Sequence, residues 1–284
     1  MVRQQGSLRP GTKGLPVARF KALEHSNVWI RVCQTLLYPA TRLLGRRDYR
    51  GMDRLHRSGP MLVVGNHISH LDPMYDVVMI HKSGRIPHVL AKAGLWKIPV
   101  VGRALRGTGQ IPVERGGGAG QAAVDTAVDT LAGGGLVLIY PEGTVTREPH
   151  FWPMRPRPGV AALALSGEFP VVPIVHWGTQ EVYNSYADGR KFRPFPRKHI
   201  RVVVGEDIDL SAYRGKKTDT RAILEVSMLI MQTISGMLGE IRGETPPAEL
   251  FDQKKAARQT KTKGSDPGAV TPAPENRQPD RDRP

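Results

Sequence analysis

The sequence contains a single cysteine, Cys33, among its 284 residues. An internal disulfide needs two cysteines, so a disulfide-stabilised fold is excluded and the composition fits a reducing compartment. Cys33 itself lies in an apolar stretch, where a free thiol packs as a small hydrophobic group.

Long apolar runs are also lacking. No 18 consecutive apolar residues occur, which predicts no conventional transmembrane helix. Residues 1–14 are polar, so no secretory signal peptide is predicted. Aromatic residues make up 6% of the chain and do not alternate with basic residues. This pattern disfavours base stacking, and we expect no nucleic-acid partner.

Acidic residues are scarce: 26 Asp and Glu stand against 41 Lys and Arg, which gives a net charge of +15. Residues 1–50 hold ten basic residues and only Glu24 and Asp48 as acids, so they contribute +8 of that charge. A charge of this size indicates an anionic partner, such as lipid head groups, a phosphorylated substrate or nucleic acid.

Composition divides the chain into four segments. Residues 1–26 are predicted to be a basic flexible tail, and residues 251–284 a disordered polar tail. Residues 27–47 predict amphipathic helices at a membrane interface, kinked or split by Pro39. The alternative is that their apolar stripe packs against the protein core. Residues 48–250 are predicted to form the main domain.

Strands and helices alternate along this domain. Strands are predicted at 61–64, 87–92, 109–115, 136–140, 171–176 and 200–204, and the principal helices at 74–80, 122–132, 159–165 and 218–241. Pro173 cannot donate to a sheet, which suggests an edge or bulged strand, or a pocket wall. The order predicts a single-domain α/β sandwich with a central, mostly parallel or mixed sheet, preceded by an amphipathic helical segment.

The turn after the first of these strands carries a candidate catalytic pair. Residues 66–73 read Asn-His-Ile-Ser-His-Leu-Asp-Pro, and Asp72-Pro73 is a favoured helix start. A carboxylate that holds one nitrogen of an imidazole lets the other nitrogen take a proton from an alcohol. His67 and Asp72 are therefore candidates for a base and its orienting acid. The alternative is that Asp72 only caps the helix and His67 is a satisfied loop residue.

Two further strand ends carry polar residues. Arg115 closes a strand, and arginine suits bidentate binding of phosphate; its alternative is a solvated surface charge. Glu142-Gly143-Thr144 follows the most apolar strand, and glycine permits a close approach of the backbone to a ligand. The alternative there is an ordinary turn between a strand and a loop.

Taken together, four stretches resemble the conserved blocks of the glycerolipid acyltransferases. The His-x4-Asp block matches residues 67–72, and the second block resembles residues 109–115. The third resembles Pro141-Glu142-Gly143-Thr144, and the fourth Val172-Pro173-Ile174. All four occur in the family's order across about residues 58–180. The best resemblance is to the bacterial 1-acylglycerol-3-phosphate acyltransferase branch.

The resemblance implies transfer of a fatty acyl group from acyl-CoA or acyl carrier protein to the free hydroxyl of 1-acylglycerol 3-phosphate, which makes phosphatidate. It implies that His67 is the general base and that Asp72 orients it. Glycerol 3-phosphate, other lysophospholipids and glycolipids are alternative acceptors in this family. We expect no metal or redox cofactor, and a peripheral or monotopic location on the cytoplasmic face of the cell membrane, whose anionic surface is a partner.

The resemblance also implies an acceptor site. Arg115, Glu142, Gly143 and Thr144 are expected at the phosphoglycerol group. The family often has a Phe-Lys-x-Gly stretch after its third block, and here Arg157 is expected to replace that lysine.

Two other functions compete with this interpretation. His67, His70 and Asp72 could ligate a metal in a hydrolase, although Ser69 and Pro73 break the usual His-x-His-x-Asp-His pattern. The net charge alone would also suit a non-catalytic protein that binds membranes or nucleic acid.

Overall fold

A computed structural model describes residues 22–114, 119–189, 191–216, 219–253, 255, 256 and 258. Within these ranges one mixed sheet has the strand order β1-β7-β6-β2-β5-β3-β4. Its strands are β1 (Gly45–Arg50), β2 (Met61–Gly65), β3 (Pro87–Lys92), β4 (Ile111–Val113), β5 (Leu136–Ile139), β6 (Val171–Trp177) and β7 (Lys198–Val204). The helices are α1 (Val28–Leu44), α2 (Asp72–Lys82), α3 (Pro99–Gly107), α4 (Ala119–Ala132), α5 (Gly159–Ala164), α6 (Thr179–Val182) and α7 (Thr220–Arg242).

Helices cover both faces of the sheet, because its central strands are apolar on both sides. All five residues of β2 are buried. Leu62 and Val64 face a core shared with α4, α5 and α7, whereas Met61 and Val63 face a core shared with α2. The predicted α/β sandwich with a mostly parallel mixed sheet is confirmed.

Strand β6 lies inside the sheet, so the edge position suggested by Pro173 is wrong. It pairs in parallel with β2 and antiparallel with β7. Pro173 lies opposite the end of β7, and its carbonyl accepts the N–H of Gly205 at 2.8 Å, one residue beyond the last residue of β7. The missing N–H of Pro173 therefore falls where the β6–β7 ladder ends.

Strand β1 was not predicted, and it shortens the expected N-terminal helical segment. Residues 45–47 do not continue the helix but begin β1, which pairs in parallel with β7 at the sheet edge. The sequence Gly-Arg-Arg-Asp-Tyr-Arg is polar because an edge strand keeps much of its surface in solvent.

Helix α1 is one continuous helix with Pro39 inside it. Its inner side contacts α2 through Tyr38, whose hydroxyl is 2.9 Å from His81 Nδ1, and through Thr41, whose carbonyl accepts from Tyr75 Oη at 3.1 Å. Its outer side exposes Val28, Val32, Leu36 and Leu43. One side of α1 therefore packs against the protein, and the other side exposes apolar side chains within the described chain; its contact with a membrane stays a prediction.

Among the described residues, α7 is long and apolar enough to cross a membrane by length and composition, and half of its most apolar window is buried in the protein. Val226, Ile230 and Ile234 lie in the core against the sheet, as expected of a core helix.

The compact unit ends at Phe251, and a second unit begins at Asp252. Phe251 was predicted to open the polar tail, but it bridges to Met154 and its carbonyl accepts the N–H of Arg155 at 3.0 Å. Most of the predicted tails, 1–26 and 251–284, lies outside the described residues.

Candidate active site

The predicted base and acid meet at the carboxyl end of β2. The chain leaves the sheet at Gly65, turns, and enters α2 at Asp72. His67 Nδ1 lies 2.9 Å from Asp72 Oδ2. The same oxygen accepts the backbone N–H groups of Ile68 at 2.7 Å and Ser69 at 2.8 Å. Asp72 is thus the first helical residue and binds the preceding turn, so its predicted role as the N-cap is wrong.

Asp72 is held as a carboxylate in a fully buried position. Its second oxygen accepts the hydroxyl of Thr179, at the start of α6. Burial acts to raise the pKa of Asp72, but the charge of His176 and the hydrogen bond of His67 outweigh burial and lower it. A buried anion with this many donors is a rigid partner for the imidazole.

His67 is presented at the edge of the site. Its side chain is 12% exposed, and its ring stacks on that of Tyr140 with centroids 4.3 Å apart and planes 18° apart. With Nδ1–H donated to Asp72, the other ring nitrogen, Nε2, can accept a proton. His70 is exposed and its ring meets the His67 ring edge-on at 6.2 Å. Burial lowers the pKa of His70.

Glu142, just beyond the end of β5, supports the turn that carries His67. Its two carboxylate oxygens accept the N–H groups of His67 at 3.2 Å and Met154 at 3.0 Å. Burial raises the pKa of Glu142 to about 8, against these donors, which lower it. The carboxyl group of Glu142 is therefore turned inward and supports this turn, and its expected contact with the substrate stays a prediction.

Gly143, Thr144 and Arg157 lie together on the outer side of this turn. Gly143 has φ +70°, and a Cβ there would lie 3.2 Å from Arg157 Cγ. Arg157 is exposed, and its backbone N–H donates to Pro141 at 2.7 Å. Thr144 Oγ1 is 3.4 Å from Tyr186 Oη. Arg115, the other predicted anion-binding residue, lies outside the described residues.

A buried polar cluster behind His67 was not predicted. Asp76 accepts from Tyr140 Oη at 2.5 Å and lies 2.8 Å from His176 Nε2. Asn66 exchanges two hydrogen bonds with the backbone of His176 and so joins β2 to β6. One signal was available, because Asp76 follows Asp72 by four residues and thus lies on the same helix side.

The described part of the chain contains no group of three or more His, Cys, Asp or Glu side chains arranged to hold a metal ion. His67 and Asp72 bind each other instead, and the metal-hydrolase alternative finds no ligand set in the described residues.

Comparisons with known proteins agree with this geometry. A family model described as Acyltransferase matches residues 46–177. N-acylphosphatidylethanolamine synthase of Arabidopsis thaliana is 29% identical over 209 residues, covering 68% of this chain and 72% of that protein. The chloroplastic 1-acyl-sn-glycerol-3-phosphate acyltransferase BAT2 of Brassica napus is 28% identical over 146 residues, covering 51% of this chain and 41% of that protein. The chain thus spans less than half the length of the BAT2 protein.

A solved structure has the same fold. The crystal structure of the 1-acyl-sn-glycerophosphate acyltransferase PlsC from Thermotoga maritima superposes with a TM-score of 0.56 at 18% identity. The superposition covers 73% of this chain and 79% of that one.

Proposed function

Because the chain belongs to the glycerolipid acyltransferase family and is an O-acyltransferase, we propose that it acylates the free hydroxyl of 1-acylglycerol 3-phosphate to make phosphatidate. The acyl donor is acyl-CoA or acyl carrier protein. The observation that carries the proposal is the 2.9 Å contact between His67 Nδ1 and the buried carboxylate of Asp72. It is the arrangement that a general base needs.

The chemistry follows from this pair. His67 Nε2 takes the proton of the acceptor hydroxyl while Asp72 holds Nδ1–H and stabilises the imidazolium. The alkoxide oxygen attacks the thioester carbonyl and forms a tetrahedral intermediate. Its collapse breaks the carbon–sulfur bond, and the leaving thiolate takes the proton from His67. The base contributes ~10²–10⁴-fold in rate, and alignment of the two substrates supplies much of the rest.

We place the phosphate of the acceptor on the outer side of the same turn. Arg157 is exposed beside Gly143, with Thr144 next along the chain. A guanidinium there can bind a phosphate bidentately while the hydroxyl of the glycerol faces His67. Arg115 keeps its proposed role as the second cation, on the strength of the family resemblance.

The acceptor is dissolved in a membrane, and two neighbouring helices offer a surface for one. Asn27 Nδ2 donates to the carbonyl of Gly107 at 2.8 Å, which ties the start of α1 to the end of α3. Exposed fractions reach 68% at Val28, 64% at Leu36 and 74% at Val100. Exposed cations accompany these apolar side chains: Arg31, Arg42, Lys97, Arg103 and Arg106. We propose that this surface, the α1–α3 face, binds anionic lipid on the cytoplasmic side of the cell membrane, so that the protein is peripheral or monotopic.

The membrane proposal is tested by co-sedimentation with vesicles of phosphatidylglycerol and phosphatidylcholine. Leu36→Glu and Val100→Glu should each weaken binding, since a carboxylate would enter the acyl boundary. Leu224, exposed by 60% on α7, supplies the control Leu224→Glu. Equal binding by all three variants would refute a specific α1–α3 face.

The catalytic proposal is tested with purified full-length protein, labelled acyl-CoA and a panel of acceptors. Phosphatidate formed from 1-acylglycerol 3-phosphate, and lost in His67→Ala but not in His70→Ala, is the expected result. Product from glycerol 3-phosphate, another lysophospholipid or a glycolipid alone would keep the mechanism and change the substrate. If acyl-CoA fails, acyl carrier protein is the donor to try. Activity unaffected by His67→Ala would overturn the mechanism.

A second acceptor belongs in the panel. The match to a protein named N-acylphosphatidylethanolamine synthase covers 72% of that protein, against 41% of the BAT2 protein. The amine of phosphatidylethanolamine is therefore the second candidate. It needs the same deprotonation by His67 but no binding of a terminal phosphate, so Arg157→Ala should spare it.

A further inference from the structure

A second His–Asp pair lies behind the catalytic one and has no part in the mechanism above. His176 Nε2 is 2.8 Å from Asp76 Oδ2, and both side chains are fully buried. The same oxygen accepts the hydroxyl of Tyr140 at 2.5 Å. The three groups come from β6, α2 and the end of β5, so three elements converge on one carboxylate oxygen.

The far side of this cluster touches the general base. The aromatic ring of Tyr140 stacks on the His67 ring, with planes 18° apart and centroids 4.3 Å apart. Tyr140 is thus held at its hydroxyl by Asp76 and presents its ring face to His67. Asp72 holds the imidazole at one nitrogen only. A stacked ring also restricts rotation of the imidazole about χ2.

We propose that Tyr140, anchored by Asp76 and His176, is a positioning residue for His67. This inference rests on the proposed function, in which His67 is the base. The ring fixes the imidazole plane so that Nε2 faces the acceptor hydroxyl. Its negative face also favours the imidazolium that forms as the proton is taken. That attraction is greater in the transition state than in the ground state, so it acts on kcat rather than on KM.

The ring and the hydroxyl of Tyr140 can be tested separately. In the full-length protein, Tyr140→Leu removes the ring and should lower kcat by ~10–100-fold, the size of effect expected from a misaligned base. The KM values of both substrates should stay within about twofold, because no substrate contact is lost. Tyr140→Phe keeps the ring but loses its hydrogen bond to Asp76, so its kcat should lie between those of Tyr140→Leu and the wild type. Equal losses in the two variants, or a loss expressed in KM, would overturn the proposal.

The charge of the anchoring His176 is tested through the pH profile. His176 faces several ionisable groups from the elements packed against it: Asp72, Asp76, Tyr140 and Glu142. Asp72 in turn faces His67, His70, Tyr140, Glu142 and His176. The charge of His176 lowers the pKa of Asp72. His176→Gln keeps a donor for Asp76 but removes that charge, so the acid limb of the kcat/KM profile should move to higher pH.

His199→Gln, at an exposed position on β7, is the matched control and should leave the limb in place. An unchanged limb in His176→Gln would refute the electrostatic contribution of His176 to the His67–Asp72 pair. This arm holds even if Tyr140→Leu does not fold. The two levels of the argument also separate: an active His67→Ala contradicts the proposed function itself, whereas an inactive His67→Ala beside a fully active Tyr140→Leu contradicts this inference alone.

Discussion

The site contains two His–Asp pairs that differ in exposure more than in geometry. His67 lies 2.9 Å from Asp72 and His176 lies 2.8 Å from Asp76, and both carboxylates come from the first two turns of α2. The side chain of His67 is 12% exposed, whereas that of His176 is fully buried. The two pairs share residue types and distances, so only their surroundings can distinguish their roles.

Hydrogen bonding separates the pairs further. The carboxylate of Asp72 accepts from His67, two backbone N–H groups and Thr179. Asp76 uses one oxygen for two donors, and its other oxygen, like His176 Nδ1, has no hydrogen-bond partner within the described chain. A fully satisfied acid beside an accessible imidazole suits proton transfer. The fully buried pair of His176 and Asp76 suits a structural and electrostatic role, since no substrate can reach its proton.

The largest expected effect separates the pairs by activity. Asp72→Asn removes the acceptor that selects the reactive tautomer of His67, so kcat should fall by ~10³–10⁴-fold, as for such exchanges in other acid–base pairs. Steady-state kinetics at saturating substrate measures the loss. Asp129→Asn, exposed on α4, is the control and should retain full activity. A loss below tenfold would contradict the assignment of Asp72 as the orienting acid.

The second effect separates them by stability. His176→Leu leaves the fully buried Asp76 with a single donor, Tyr140, and breaking a buried ion pair in this way costs about 3–5 kcal/mol of unfolding free energy. His67→Leu leaves the Asp72 carboxylate with its two backbone N–H donors and the hydroxyl of Thr179, so it should cost less, about 1–2 kcal/mol. Urea unfolding at constant m-value measures both. Equal costs would show that burial does not distinguish the pairs.

The contact between His67 and Asp72 could be predicted from the sequence, whereas the contact between His176 and Asp76 could not. His67 and Asp72 are five residues apart and lie in one turn between a strand and a helix, so their contact depends only on local sequence. His176 lies 100 residues from Asp76, and only the sheet order, with β6 beside β2, brings them together. The apolar strands were predictable because burial selects for their composition. The edge strand β1 was missed because its partner, β7, lies about 150 residues further along the chain.

The third effect is a pH dependence of stability that arises from the buried side chains of His176 and Glu142. Burial acts to lower the pKa of His176, but Asp76 and Asp72 outweigh it and raise the pKa to about 8. Because the pKa of His176 is higher in the folded protein than in the unfolded chain, its protonation stabilises the fold. This stabilisation is complete below the unfolded pKa near 6.5 and is lost as the pH rises through about 8. Burial also raises the pKa of Glu142 to about 8, so its effect on stability has the same sign and begins near 4.5.

From both pKa shifts we expect the free energy of unfolding to fall between about pH 6.5 and 8.5. His176 should contribute roughly 1–2 kcal/mol of this decrease. Denaturant titrations at several pH values measure the slope. His176→Gln should flatten it, and His199→Gln, in which an exposed histidine is replaced, should not. A rise in wild-type stability over this interval would contradict the charged state assigned to His176.

The smallest effect concerns the open side of the catalytic pair. Gly143 has φ +70°, and a Cβ there would lie 3.2 Å from Arg157 Cγ. Gly143→Ala should cost about 1–2 kcal/mol through backbone strain, and it should also displace the guanidinium proposed to bind the acceptor phosphate. Gly134→Ala separates these effects, since Gly134 has φ +84° with no atom within 4 Å of an added Cβ. Both variants should lose stability to a similar degree, but only Gly143→Ala should raise the KM of the phosphorylated acceptor. An equal KM in the two variants would mean that Arg157 does not reach the phosphate, and the open side of the pair would then need another cation, for which Arg115 is the candidate.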